Sequence, residues 1–175
     1  NPGTNIYIFS WSINRDPIYK KIMKQFDKFE YVNVEPYDNI IVDGKNMIDV
    51  IINNILQEKE AMKETNYNKM IKLMLGDDDT IKLKWYEWLN KICAEHIFII
   101  DDMSHFIRNK QLEKWLLRLA TINRHIKSMV IFWVHKYKIL FPVIRENANL
   151  LLLYAGYWKE KLMDIYEDCN SVRQS

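Results

Sequence analysis

The chain contains few glycines, and none of them lies in a phosphate-binding motif. Its 175 residues include four, at Gly3, Gly44, Gly76 and Gly156. The loop that cradles the phosphates of a nucleotide commonly has the pattern Gly-x-x-x-x-Gly-Lys-Ser/Thr. The nearest approach is Gly44-Lys45-Asn46, which lacks both the hydroxyl and the upstream glycine. The sequence therefore provides no backbone cradle of this kind for β- and γ-phosphates.

Cysteines and long apolar runs are also scarce. Cys93 and Cys169 lie far apart in the sequence, which argues against a disulfide framework or a cysteine-rich metal site. No apolar run approaches the about 20 residues needed to cross a bilayer, and there is no signal-peptide pattern. With 49% apolar and 27% charged residues, the composition is typical of globular proteins. We therefore expect one intracellular domain over residues 1–175, without a membrane partner.

The most informative segment, residues 97–102, is an apolar run that leads directly into two acids. Its sequence is Ile-Phe-Ile-Ile-Asp-Asp. A short continuous apolar run is typical of a strand buried on both faces of a parallel sheet. Ligands bind at the carboxyl ends of such strands, where Asp101 could hold Mg²⁺ and Asp102 could act on an attacking water. The alternative is a buried strand that ends in a solvated Asp-Asp turn.

Alternating helices and apolar strands surround this segment. Strands are predicted over residues 5–10, 129–134 and 150–154, and helices over 17–26, 47–63, 67–75, 82–95 and 109–122. Pro17 suits the first turn of a helix. Such an order predicts an α/β fold, a parallel sheet with helices on both faces. The tryptophans are expected in the core rather than on a base-stacking surface, and those considered are Trp85, Trp88, Trp115 and Trp133.

The segment from Arg108 to Arg145 is strongly basic. It contains nine lysines and arginines and one acid, Glu113. A basic stretch beside a nucleotide site suits the phosphates of ATP or of a DNA backbone. The alternative is a solvated helix face with additional loop lysines.

In their order and spacing, these elements resemble the poxvirus-type viral DNA-packaging ATPases of the FtsK–HerA superfamily. The matching elements are residues 97–102, Asn123-Arg124-His125, the strand that ends at His135, the turn at 142–147 and the apolar run 150–154. The strand at 5–10 matches more weakly. The resemblance implies a P-loop NTPase core of the RecA/ASCE type, here without its N-terminal P-loop unit.

The resemblance also implies roles for particular residues. Asp101 would coordinate Mg²⁺, Asp102 would act on the attacking water, and His135 would contact the γ-phosphate of ATP. Arg124 and Arg145 are the candidates for reaching phosphate, one of them across a subunit boundary in a homo-oligomeric ring. The implied partners are double-stranded DNA and capsid or portal components, in the host cytoplasm or the virion.

Two departures from the family pattern matter. Family members often have Gln where this chain has His135, which could instead be a partly buried histidine capping the strand end. The absent phosphate loop suggests a fragment whose loop lies upstream, and we expect this polypeptide alone to be a poor ATPase. The alternatives are a degenerate structural or DNA-binding relative that has lost nucleotide binding, and another P-loop DNA helicase or pump.

Overall fold

A computed structural model describes residues 3–75, 95–103, 110–153 and 159–171. In chain order the strands are β1 (Thr4–Ser10), β2 (Val32–Tyr37), β3 (Ile41–Val42), β4 (Lys45–Asn46), β5 (Glu95–Asp101) and β6 (Ser128–Trp133). The helices are α1 (Pro17–Phe26), α2 (Met47–Leu75), α3 (Lys110–Ile122), α4 (Pro142–Glu146) and α5 (Lys159–Ser171), and a 3-10 turn, Tyr137–Ile139, precedes α4. None of these helices is long and apolar enough to cross a membrane.

Four strands form one parallel sheet in the order β2-β1-β5-β6, and β3 and β4 form a small separate hairpin. Every pair in the larger sheet is parallel, and the register aligns Ser10 with Asp101 and Asp101 with Trp133. The ends of β1, β5 and β6 therefore lie at the same edge of the sheet. The predicted α/β fold with a parallel sheet is confirmed.

Helices cover both faces of this sheet, as predicted. On one face, α1 packs Tyr19, Ile22 and Phe26 against Ile6 and Ile8 of β1. On the other face, α2 and α3 enclose the larger apolar cluster, whose fully buried members include Phe9, Phe98, Ile52, Leu116 and Leu119. Because side chains alternate along a strand, each central strand contributes to both clusters.

The predicted helices agree with the structure in part. The helix at 17–26 has the predicted bounds and begins at Pro17 after the N-cap Asp16, whose carboxylate accepts from Ile18 N–H. The two helices predicted over 47–63 and 67–75 are one continuous helix, α2. Residues 82–94 of the next predicted helix lie outside the described residues, and its last residue, Glu95, instead begins β5.

The strand predicted over 150–154 is wrong for the residues that the structure describes. Leu150, Leu151, Leu152 and Leu153 have no regular secondary structure. Their exposed fractions are 75%, 38%, 79% and 40%. An isolated apolar run cannot remain a strand without a neighbour to satisfy its backbone groups. Within the described ranges, β6 pairs only with β5, so no strand lies beside it to continue the sheet.

The continuous apolar run over residues 129–134 predicts a buried strand, but β6 is buried on only one face. Val130 and Phe132 pack against the α2–α3 side of the sheet. On the opposite face, Met129, Ile131 and Trp133 are 60%, 39% and 50% exposed. The prediction that Trp133 lies in the core is therefore wrong, while Trp115 does pack against the core. Helix α1 covers β2, β1 and part of β5, and the apolar face of β6 extends beyond it.

Part of the basic segment is engaged within the fold. Arg118 on α3 contacts the carboxylate of Asp49 and donates to Asn53 Oδ1 at 2.8 Å, so it joins α3 to α2. Lys138 forms an ion pair with Asp164 on α5 at 2.8 Å. These two cations stabilise the fold, which leaves a smaller basic surface than the sequence suggests.

Candidate functional site

The two acids, Asp101 and Asp102, lie at the carboxyl end of β5, between the ends of β1 and β6. Asp101 is the last residue of β5 and shares a sheet face with Ser10 and Trp133, its partners in register. In open α/β sheets this edge is the usual position for a ligand. The predicted placement of the acid pair is confirmed.

Asp101 is held by a tyrosine from α1. The hydroxyl of Tyr19 contacts Asp101 Oδ2 and lies 2.9 Å from Ser10 Oγ. An ionised carboxylate only accepts hydrogen bonds, so the single phenolic proton of Tyr19 goes to Asp101 and the Ser10 hydroxyl can donate to the Tyr19 oxygen. Ser10 is fully buried, and its oxygen accepts from Ser12 N–H at 3.3 Å. A chain of hydrogen bonds thus leads from the backbone of Ser12 to Asp101.

The environment of Tyr19 keeps its hydroxyl protonated. Burial, followed by the hydrogen bond to Asp101, raises the pKa of Tyr19 above its ordinary value of 10.0. A phenolate beside a carboxylate would place two negative charges in contact, which is unfavourable. Tyr19 therefore remains a hydrogen-bond donor to Asp101 at neutral pH.

Asp102 adopts an unusual backbone conformation. Its φ is 48°, in the left-handed region that L-residues rarely occupy. Its N–H donates to the carbonyl of Trp133 at 3.3 Å, which ties the end of β5 to the end of β6. Such conformations cost about 1–3 kcal/mol and are often found at functional sites.

The side chain of His135 lies close to that of Asp102, as expected if both face the same ligand. Its Nε2 lies 3.4 Å from Asp102 Oδ1, and the two side chains are 73% and 40% exposed. The pair is accessible to a ligand, and contacts between side chains this exposed are weak. The alternative of a partly buried, capping His135 does not fit this exposure.

The two arginines predicted for the site, Arg124 and Arg145, lie in different parts of the fold. Arg124 precedes β6 and therefore lies at the opposite edge of the sheet from Asp101 and Asp102. The six residues of β6 separate the two edges by about 20 Å. Arg145 lies on α4, half-buried, with its guanidinium carbon 5.1 Å from the centroid of the Tyr137 ring. Within one copy of the chain, Arg124 cannot contact a ligand held by the acids.

The acids suit Mg²⁺ if a phosphate shares the ion. Magnesium is usually bound by one or two carboxylates, with waters and phosphate oxygens completing the octahedron. The described residues contain no group of three or more His, Cys, Asp or Glu side chains that could hold a metal ion by themselves. Asp101 and Asp102 therefore fit the magnesium of a bound nucleotide better than a protein-only metal site.

The loop between β1 and α1 does not fit a phosphate. It occupies the edge beside Asp101, where a strand–loop–helix junction could cradle an anion. However, Asp16 caps α1 with its own carboxylate, and Pro17 at the helix start has no N–H to donate. The N–H groups of Ser12, Ile13, Arg15 and Asp16 already donate within the loop. A phosphate would meet a fixed negative charge and few available donors there.

Sequence reasoning missed Ser10 and Tyr19. Ser10 ends β1, and Tyr19 lies in the first turn of α1, three residues after the N-cap Asp16. Serine and tyrosine are common at such positions, so the sequence there indicates no functional role. Only the pairing of β1 with β5 brings them to Asp101, and this pairing links residues about 90 positions apart. No local pattern in the sequence reports it.

The chain matches no family model, no curated protein and no solved structure. A function for the chain can therefore be inferred only from the geometry of this edge of the sheet.

The strain at Asp102 can be measured with two substitutions that both remove the carboxylate. We expect Asp102→Gly to be more stable than Asp102→Ala by about 1 kcal/mol, because glycine has no β-carbon to oppose a positive φ. Urea unfolding of the two variants gives this difference in free energy directly.

The same pair of substitutions at Lys136 provides the control. Lys136 has an extended backbone with φ of −135°, so Lys136→Gly should be the less stable variant there. If Asp102→Ala is at least as stable as Asp102→Gly, as expected at Lys136, the strained conformation of Asp102 is contradicted.

Proposed function

We propose that this chain is the core of an ATP-driven motor that moves double-stranded DNA into a viral capsid, and that it contributes the magnesium-binding half of the ATP site. The observation that supports this most is the meeting of Asp101, Asp102 and His135 at the carboxyl edge of a parallel sheet. Two acids after one strand and a polar side chain after the next are the arrangement that phosphoryl-transfer chemistry needs.

Each side chain has a distinct role in this proposal. A bound Mg²⁺–ATP would supply the metal charge that neutralises developing negative charge on the phosphates. Asp101 holds the ion through a carboxylate oxygen. Asp102 accepts a hydrogen bond from the attacking water and orients it. His135, 3.4 Å from Asp102, donates toward the γ-phosphate region.

The phosphate cradle would come from a segment that is not among the described residues, placed beside β6. The described residues leave the outer edge of β6 without a partner strand. The same strand exposes an apolar face with Met129 and Ile131, and the unpaired run at Leu150 follows it. One additional strand at this edge would pair with the outer backbone groups of β6, and a helix after it could cover the apolar face, with the loop between them directed toward the acids.

In this proposal several copies of the chain form a ring, and the position of Arg124 is the reason. Because Arg124 is exposed at the far edge of the sheet, it can reach a nucleotide only on a neighbouring copy. Arg145 lies on the segment that follows His135 and is the candidate for acting within the same copy. In ring ATPases an arginine from the neighbour stabilises transition-state charge.

DNA binding would use the basic residues that the fold does not employ. Arg124, Lys127 and Lys136 are exposed. Contact with a phosphate backbone depends on such cations and not on base sequence. Capsid or portal partners and a location in the host cytoplasm or virion belong to the same proposal. The geometry fits another P-loop DNA helicase or pump equally well.

A second candidate is a non-catalytic relative with a structural or DNA-binding role. The specific observation in its favour is the β1–α1 loop, where Asp16 occupies the helix N-terminus that an anion would need. In that case the acids would serve only to end the strand.

Calorimetry with Mg²⁺–ATP distinguishes the two candidates. We expect this 175-residue chain to bind weakly or not at all, and a version extended upstream to bind tightly and hydrolyse ATP. In the extended version, Asp102→Asn should retain binding but lower turnover by about 10²–10⁴, the usual contribution of a positioned acid–base group. Absence of binding by both chains would contradict the motor and favour the non-catalytic relative.

Mixing subunits of the extended version tests the trans role of Arg124. If each site needs an arginine from its neighbour, Arg124→Ala subunits should inhibit wild-type subunits by more than their share of the mixture. Lys20→Ala, which removes an exposed cation that the proposal does not use, is the control and should leave the activity of the mixture unchanged. Loss of activity only in proportion to the share of Arg124→Ala subunits would contradict a trans role for Arg124.

A further inference from the structure

Tyr19 joins three elements at the candidate site. It lies in the first turn of α1, its ring packs in the cluster beneath that helix, and its hydroxyl reaches both Ser10 at the end of β1 and Asp101 at the end of β5. Tyr19 is 8% exposed and Ser10 is 0% exposed. The position of this hydroxyl is therefore fixed by packing, so that Asp101 is held by a rigid donor.

The hydrogen bond occupies only one oxygen of Asp101. Tyr19 donates to Oδ2, and a carboxylate has a second oxygen that can bind a cation. Carboxylates that bind metals are commonly fixed by a hydrogen bond to another group, which sets the direction of the remaining lone pairs. If the Asp101 side chain rotated freely, it would lose rotamer freedom when it bound a cation. The hydrogen bond from Tyr19 already orders this side chain, so the entropy cost of binding is smaller.

Tyr7 provides an internal comparison. It is buried to nearly the same extent, at 6% exposed, and its hydroxyl is hydrogen-bonded to His96 Nδ1 at 3.4 Å. Tyr7 lies on the opposite face of the sheet, in the cluster beneath α2 and α3. Loss of the Tyr7 hydroxyl removes its hydrogen bond to His96, whereas loss of the Tyr19 hydroxyl removes those to Asp101 and Ser10, and of the two tyrosines only Tyr19 contacts an acid at the ligand edge.

We propose that Tyr19, supported by Ser10, is a positioning residue that orients the Asp101 carboxylate to bind a divalent cation. This inference rests on the proposed function, which makes Asp101 the magnesium ligand. It adds a residue from α1 to a site that otherwise consists of the ends of β5 and β6.

Binding of Mn²⁺ at millimolar concentration, measured by electron paramagnetic resonance on the 175-residue chain, tests the proposal without ATP. Two carboxylates without a nucleotide phosphate should hold the ion weakly, so the variants are compared in this concentration range. We expect Tyr19→Phe to weaken Mn²⁺ binding about 10-fold, the effect usual for losing a group that orients a ligand. Ser10→Ala should weaken it less, and Asp101→Asn should abolish it. Tyr7→Phe is the matched control and should bind as the wild type does.

The outcomes separate this inference from the proposed function. If Asp101→Asn abolishes binding while Tyr19→Phe and Ser10→Ala bind as the wild type does, the positioning role is overturned and the metal role of Asp101 stands. Equal losses in Tyr19→Phe and Tyr7→Phe would show a general structural effect and would also overturn it. If the wild type does not bind Mn²⁺, or Asp101→Asn binds equally well, both proposals fail. Should Tyr19→Phe not fold, Ser10→Ala alone decides, since unchanged affinity there contradicts the proposal.

Discussion

Parallel pairing of β1, β5 and β6 is the constraint on which the candidate site depends. In a parallel sheet all strand ends of one kind meet at one edge, so Ser10, Asp101 and Trp133 are aligned by backbone hydrogen bonds alone. The two clusters fix this register, because a one-residue slip would move Phe98 and Ile100 from the larger cluster beneath α2 and α3 to the smaller one beneath α1, where they would not fit. The same hydrophobic packing that folds the sheet therefore positions the acids.

Among the described residues, the helices cover the two faces of the sheet unevenly. Helix α1 buries one face over β1 and β2, yet the same face of β6 exposes Met129 and Ile131. Exposed apolar surface of this kind on a globular protein commonly marks a contact. The same face ends at the exposed Trp133, whose carbonyl accepts from Asp102 N–H, so an element that covered the whole face would also approach the candidate ligand.

The sequence alone predicted the parts of the molecule that depend on local patterns. Pro17 and the apolar spacing after it predicted α1, and the run before Asp101 predicted β5 and its acidic end. Properties that depend on neighbours in space could not be predicted in this way. The apolar run at Leu150 has the composition of a strand but no partner in the described residues, and the Tyr19–Asp101 contact follows from strand order, which no short segment encodes.

The most direct test of the account is to locate a bound Mn²⁺ by its effect on backbone amide resonances in solution NMR. Paramagnetic broadening should be strongest at Ser10, Asp101, Asp102 and His135, which share one edge of the sheet. Amides at the opposite edge, such as those of Arg124 and Ser128, should remain sharp, since a strand of this length separates them by about 20 Å. Broadening centred on that opposite edge, or spread over exposed acids throughout the chain, would contradict a metal site at Asp101 and Asp102.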